Sequence, residues 1–324
     1  QGAYVPPSKL TVREFCERWL QDYVATTIQK PHTRTFYTAM VRTHLLPALG
    51  RLLLTHLTPA CVQQLYREKL QAGLSSTTVN AIHRTLHRAL ACAVRWGLVA
   101  RNVCDAVEPP RRRRLTPQTW SPEECARFLE TARTAGSRYY PLFATALATG
   151  LRQGELLGLR WQDLDLAAGT LTVQQTLEAA GTAPRFGTPK TPTSRRTVPL
   201  PSGLVAILRQ WRAQQNAERL LLGPAYRDYD LVFTLPGGGP IDHRNLCRRD
   251  FARLIVQAGV PRIRFHDLRH TSATLLLGAG VNLKVISERL GHSSVSVTGD
   301  IYAHVTPTMQ QEAAAVLGRV LRLG

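Results

Sequence analysis

Residues 266–270 read His-Asp-Leu-Arg-His, and two kinds of chemistry compete for them. Two histidines four apart on a helix, with an acid after the first, suit a zinc hydrolase whose acid deprotonates metal-bound water. Glu288, eighteen residues beyond His270, falls where such enzymes can take a third ligand. The pattern is degraded, however. The acid is Asp267, one methylene short of the glutamate this chemistry prefers, and Arg269 would set a permanent positive charge between the two ligands. The other reading takes His266 with Arg269, three apart and so on neighbouring positions of one helix face, and aims them at a phosphate. His270 then becomes a structural residue bonded to backbone or to a neighbouring side chain. Four more residues can gather around a phosphodiester: Arg152 in Ala-Thr-Gly-Leu-Arg-Gln-Gly-Glu (148–155), Lys190 in Thr-Pro-Lys-Thr-Pro-Thr-Ser-Arg-Arg (188–196), His292 after Leu290-Gly291, and Tyr302 in Asp-Ile-Tyr-Ala-His (300–304).

The elements that must position these groups are mostly helical. Val12, Phe15, Trp19 and Leu20 recur at helical spacing after Thr11, and a second helix is expected from about Thr33 to Leu46. Thr58-Pro59 is an N-cap followed by a first-turn proline, opening a helix that turns Val62, Leu65 and Tyr66 inward. In the fourth helix Val79, Ile82, Leu86 and Leu90 form an apolar stripe, while Arg84, Arg88 and Arg95 occupy another face. Then comes Glu-Pro-Pro-Arg-Arg-Arg-Arg-Leu-Thr-Pro (108–117), whose prolines disfavour a helix and whose arginines suit an extended linker tracking a phosphate backbone. A second domain opens at Trp120-Ser121-Pro122-Glu123-Glu124, a capping box with proline in the first helical position. Short strands are expected over 170–176 and 196–200 around a Gly/Pro-rich tip, with helices resuming at Leu204, His243, Asp267, Leu283 and Thr308. Gly150 would permit a tight approach into the Arg152 helix, and Glu155 is expected to pair with a nearby donor to hold it. The expected fold class is mainly α, with one small antiparallel sheet.

Charge narrows the partner. Lys plus Arg number 41 against 22 Asp plus Glu, a formal net charge of +19. Such an excess favours a polyanion, since cations that neutralise phosphates release condensed counterions. No apolar run approaches the roughly 20 residues of a membrane-spanning helix, so nucleic acid is the expected partner and a membrane is not. The six cysteines, at 16, 61, 92, 104, 125 and 247, form no metal-binding spacing and read as small buried hydrophobes in a reduced cytoplasm. With no secretory signal, a cytoplasmic location beside the bacterial nucleoid is expected. The chain begins with Gln rather than Met, which points to an excised part of a longer protein.

The ordered set of ATGLRQGELLGLRW, a hairpin lysine, HDLRHTSATLLL, LGHSS and DIYAHV resembles the tyrosine recombinases, especially phage and conjugative-transposon integrases. The likeness covers about 119–306, and the four-helix segment before it looks like that family's SAM-like core-binding domain. It implies a helical DNA-binding domain over 1–109, a basic linker over 110–118, a mixed α+β catalytic domain over 119–306 and a tail helix over 307–324. It implies further that Arg152, Lys190, His266, Arg269, His292 and Tyr302 form the active-site set. Arg84, Arg88, Arg95 and the linker arginines Arg111, Arg112, Arg113 and Arg114 are the expected DNA contacts. Gly299 stands where related sequences often carry a bulkier residue.

The chemistry follows from residue type. A phenol with an ordinary pKa near 10 needs proton removal before it attacks a phosphodiester at neutral pH, which suits His266 as acceptor. Arg152 and Arg269 offer forked donors to the charge that builds on the non-bridging oxygens. Lys190 would protonate the departing 5′-oxygen, and His292 would donate another hydrogen bond. One phosphoester replaces another, so neither ATP nor a metal or other cofactor is expected. The resemblance implies a homotetramer on two duplexes, served by accessory directionality or DNA-bending proteins. The apolar stripe Met309, Ala313, Val316, Leu317, Val320 and Leu321 is expected to dock on a neighbouring subunit. Rival readings are a resolvase or invertase, a topoisomerase-like strand-relaxing enzyme, a DNA-binding protein without activity, and the zinc hydrolase.

Overall fold

The computed structural model describes residues 9–111, 117–181, 183–188 and 194–291. The chain divides into two compact units, the first ending at Leu115 and the second beginning at Thr116.

In the first unit, helix α1 (Val12–Arg18) is opened by a capping box in which the Glu14 N–H donates to Thr11 Oγ1 and the Thr11 N–H donates to the Glu14 carboxylate. Right-handed helical backbone continues through a wide π-helical turn, Trp19–Val24, so α1 presents Val12, Phe15, Cys16 and Trp19 to the core. Helix α2 (Pro31–Met40) differs from expectation at both ends. It starts on the proline, whose missing N–H is no loss in a first turn. At its far end it passes into a π-helical turn, Val41–Leu45, and a final turn, Leu46–Leu49. Pro47 lies in that final turn and cannot donate backward, and the Leu46 N–H reaches five residues back to Val41 O, widening the turn just before it.

Helices α3 (Pro59–Gln71) and α4 (Ser76–Arg95) begin on Thr58 and Ser75, whose side chains cap the Cys61 and Thr78 N–H groups. α4 buries Val79, Ile82, Leu86 and Leu90 as its stripe requires, each worth about 1.5–3 kcal/mol against exposure. Beyond it Asn102 Nδ2 donates to His87 O at 3.0 Å, and the turn Val103–Ala106 brings Asp105 within 2.7 Å of His87 Nε2.

The second unit starts with α5 (Pro122–Thr134), carrying the expected Ser121 capping box, and α6 (Tyr140–Thr149). Its core is aromatic: Phe128 meets Trp120, Phe143 and Phe251 at centroid distances of 4.8, 5.2 and 5.5 Å, and Phe265 meets Phe251 at 5.5 Å. These rings fix the segment before the His-Asp-Leu-Arg-His stretch. Trp120 Nε1 donates to Pro261 O at 2.8 Å and the Trp120 N–H donates to Thr271 Oγ1 at 3.2 Å.

Helix α7 (Gln153–Leu157) leads into the strands. Two small sheets form where the sequence suggested one. Strands β1 (Leu164–Asp165), β2 (Thr170–Thr172) and β5 (Thr197–Pro199) make an antiparallel sheet in the order β1-β2-β5, with Leu171 opposite Val198 and both fully buried. Strands β3 (Thr176–Ala179) and β4 (Arg185–Gly187) pair separately. The break after Thr172 lets β3 back onto α7, where a Cβ on Gly158 would lie 2.7 Å from the Leu177 nitrogen.

The long α8 (Ser202–Leu222) packs on α6, then α9 (Ala252–Ala258), α10 (Asp267–Gly278) and α11 (Leu283–Leu290) complete the described chain. Of the cysteines, Cys16, Cys92, Cys104 and Cys125 are buried and Cys61 and Cys247 half-buried, all free. Among the described residues, no helix is long and apolar enough to cross a membrane.

Candidate active site

The site grows from the end of α6. That helix is almost wholly buried, and its Thr145 and Thr149 hydroxyls donate to Pro141 O at 2.7 Å and Thr145 O at 2.6 Å. It stops at Gly150, in the left-handed region at φ 64°, where a Cβ would fall 2.4 Å from Leu290 Cδ2. Only glycine meets both conditions without strain. The turn sends Leu151 into the core and leaves Arg152 at the N-cap of α7.

Arg152 is held from three sides. Its Nη1 donates to Glu155 Oε1 at 2.7 Å, its Nη2 to Gly291 O at 2.7 Å, and its backbone N–H to Glu155 Oε2 at 3.0 Å. The side chain is still 35% exposed. Glu155 is 1% exposed and also accepts from Arg196 Nη2 at 3.0 Å. Burial alone would raise its carboxyl; the Arg196 and Arg152 guanidiniums outweigh that and hold it below the usual carboxylate range. The expected pairing of Glu155 with a donor is thus found, with two arginines rather than one. A buried carboxylate persists only when its charge and lone pairs are met in this way.

Arg269 lies on α10, buried, with Nη1 donating to Gly150 O at 2.8 Å. That bond ties the second arginine to the very turn that presents the first. His266 immediately precedes α10 and keeps an exposed face, while its ring packs edge-to-face on His270 with centroids 5.2 Å apart. Partial burial, aided by His270 and the Arg269 charge, pushes its imidazole down to about 4. At neutral pH it is therefore an uncharged ring able to accept a proton. His270 is buried and pushed down as well, chiefly by desolvation.

The zinc reading loses its base. Asp267 is buried, and its carboxylate accepts from Arg264 N, Nε and Nη2 at 2.8, 3.0 and 2.7 Å. No group of three His, Cys, Asp or Glu side chains suited to a metal ion occurs among the described residues. Lys190, His292, Gly299 and Tyr302 lie outside the described residues, as do the tail 307–324 and Arg112, Arg113 and Arg114.

In the first unit Arg84, Arg88 and Arg95 are all exposed on α4. Arg88 donates to Tyr23 OH at 2.9 Å with its guanidinium over the Tyr23 ring. Arg95 Nη2 donates to Cys92 Sγ at 2.8 Å, and Arg111 is exposed.

Sequence reading passed over Arg196, Ser194 and Arg289. Strand period was a partial signal: with Val198 inward, Arg196 and Ser194 share its face, and burial along 194–198 alternates accordingly, although the acceptors of Arg196 could not be read from it. Arg289 is half-buried, its Nη2 bonded to Ala148 O at 2.9 Å and Pro199 O at 3.1 Å. Burial pushes its guanidinium pKa down, and Arg196 adds repulsion.

Arg152 and Arg269 are tied to one turn, with His266 three residues before Arg269, in a helical unit with two small sheets. Residues 118–309 match the phage integrase family, and residues 11–71 match the phage integrase N-terminal SAM-like domain. The chain belongs to this family, the tyrosine recombinases, and is a site-specific recombinase of the integrase type.

Among its relatives, a XerC-like tyrosine recombinase of Caldanaerobacter subterraneus subsp. tengcongensis is 34% identical over 98% of this chain and 85% of that protein. The ICEBs1 integrase of Bacillus subtilis is 30% identical over 78% of this chain and 68% of that protein. The fold is shared with a Tn1549 transposon integrase solved with a circular intermediate DNA, at TM-score 0.76 and 20% identity, covering 95% of this chain and 99% of that one. It is shared also with a lambda integrase tetramer solved on a Holliday junction, at TM-score 0.70 and 18% identity, covering 93% and 80%.

Proposed function

We propose that this recombinase acts on double-stranded DNA through a 3′-phosphotyrosine made by Tyr302, integrating or excising a mobile element. The observation that supports the reading is the Arg269–Gly150 hydrogen bond, which ties Arg269, three residues after His266, to the turn that carries Arg152.

The steps balance without an outside energy source. The Tyr302 phenol oxygen attacks phosphorus, its proton passing to His266, and the bond from phosphorus to the 5′-oxygen breaks. Arg152 and Arg269 take the charge that builds on the non-bridging oxygens, where forked donors fit better than an ammonium. Lys190 gives the 5′-oxygen its proton, and His292 donates to the phosphate. An incoming phosphate anion opposes the effects that depress His266, making it a stronger base when substrate is bound. Attack on the phosphotyrosine by a 5′-hydroxyl from a second duplex restores the phosphodiester.

The cations of the first unit serve grip rather than chemistry. Arg84, Arg88, Arg95 and the linker arginines Arg111, Arg112, Arg113 and Arg114 follow the phosphate backbone, with residues 110–118 spanning between domains 1–109 and 119–306. Four copies assemble on two duplexes, a stoichiometry supported by the lambda integrase tetramer bound to a Holliday junction; the apolar stripe of the tail from 307 onward docks on a neighbour. Plasmid assays test the outcome. A supercoiled plasmid with two cognate sites yields recombinant circles, and one without them is not relaxed. Relaxation that ignores the sites identifies a topoisomerase-like enzyme instead.

A further inference from the structure

The end of α11 is fastened by guanidiniums, and one of them spends all three of its nitrogens on protein acceptors. Arg196 Nε donates to Arg289 O at 2.6 Å, and Arg152 Nη2 donates to Gly291 O at 2.7 Å, so two cations take carbonyls on either side of Leu290. Carbonyls at a helix C-terminus lack intrahelical partners and carry partial negative charge, which suits cations there. The remaining donors of Arg196 go inward: Nη1 to Ser194 O at 3.0 Å and Nη2 to Glu155 Oε2 at 3.0 Å. Each of the three Arg196 nitrogens thus donates to a protein acceptor, and the guanidinium is committed inside the protein.

We infer that Arg196 is a positioning residue that locks Arg152 and the α11 terminus into one unit. Through that unit it fixes the Arg152 guanidinium against the phosphate site. Glu155 is the shared acceptor: one oxygen serves the Arg152 guanidinium and the other serves Arg196 and the Arg152 backbone. Arg152 cannot swing without releasing either Glu155 or Gly291 O, and Arg196 holds both Glu155 and the carbonyl two residues before Gly291. Gly291 fits the arrangement twice over. It sits at φ 67°, and a Cβ there would lie 2.8 Å from Arg196 Nη1. His292 follows directly in the chain.

The inference rests on Arg152 as a phosphate ligand, and the test separates the two. Single-turnover cleavage of a nicked duplex is measured for Arg196→Met, Arg196→Lys and Arg152→Met, with DNA affinity and unfolding midpoint recorded alongside. Arg196→Met is expected to cleave roughly 100-fold more slowly with DNA affinity little changed, the scale of a misplaced catalytic group. Lysine should restore little, because one ammonium cannot span three acceptors held by a planar fork. A substrate with a methyl in place of one non-bridging oxygen at the scissile phosphate needs its oriented cation less. On it the Arg196→Met deficit should shrink together with that of Arg152→Met.

Two results overturn the inference: Arg196→Met cleaving like the parent, or a deficit unchanged on the neutral substrate while that of Arg152→Met shrinks. Normal cleavage by Arg152→Met overturns the phosphate reading instead. If Arg196→Met does not fold, Gly291→Ala presses the same contact from the other side. It should show the same substrate-dependent deficit, and parental behaviour from it would equally refute the inference.

Discussion

The arginines of the two units live under opposite rules. On α4 Arg84, Arg88 and Arg95 are exposed, and Arg88 leans on one tyrosine. In the second unit Arg196 and Arg269 are buried or nearly so, and they and Arg152 and Arg289 spend donors on backbone carbonyls or on Glu155. Exposed guanidiniums act through screened, additive charge, and losing one changes little except salt dependence. Held guanidiniums act through geometry, so losing one disturbs either the chemistry or the fold. The same residue type therefore supplies grip in one unit and precision in the other.

The contrast breaks most visibly at Arg269. Arg269→Ala is expected to lower single-turnover cleavage about 100- to 1,000-fold, the typical cost of one preorganised donor. Binding to the same duplex should change far less, and equal losses in rate and affinity would erase the distinction. Next comes Glu155→Gln, which leaves two guanidiniums without their shared charge and should cost on the order of 3 kcal/mol in chemical denaturation. An unchanged midpoint would mean the buried carboxylate is not what holds the cluster.

The other side is tested by replacing Arg84, Arg88 and Arg95 together with glutamine. The slope of log affinity against log salt should fall by about 2.7 if each neutralises one phosphate, with cleavage at saturating DNA kept. A slope left unchanged would remove α4 from the DNA interface. The smallest effect concerns His266, held down at about 4 while an unfolded imidazole titrates near its ordinary value. Between those pH values the unfolded chain binds more protons, so stability falls as pH drops toward 4. His44, His83 and His270 are depressed too and act in the same direction. His266→Asn should therefore flatten only part of the acid limb, and no change in slope would contradict the depressed value.

Much of this was legible in the sequence because local rules and packing agree. The caps at Thr58 and Ser121 and the α4 stripe each follow from a few neighbouring residues, and each stands as expected. The Gly150 turn before Arg152 was equally visible, since a left-handed residue there has few substitutes. Less legible was anything decided by distant partners. The continuation of the α2 backbone past Leu46 depends on a π-helical turn that accommodates Pro47, which propensity counts against. The split into two sheets depends on β3 leaving β2 to pack on α7, a tertiary choice that strands of three or four residues do not announce. Arg196 was hidden for a chemical reason. A guanidinium serves carbonyls, carboxylates and phosphates alike, and only the acceptors it meets in the fold say which.

The most direct measurement uses a nicked suicide duplex carrying the attachment site, from which a short fragment diffuses away after cleavage. The intact protein should become covalently joined to the 3′ end of the cut strand, with a free 5′-hydroxyl on the released piece, and Tyr302→Phe should form no adduct while still binding. An adduct that persists in Tyr302→Phe, or cleavage that leaves no protein on the DNA, would contradict the account.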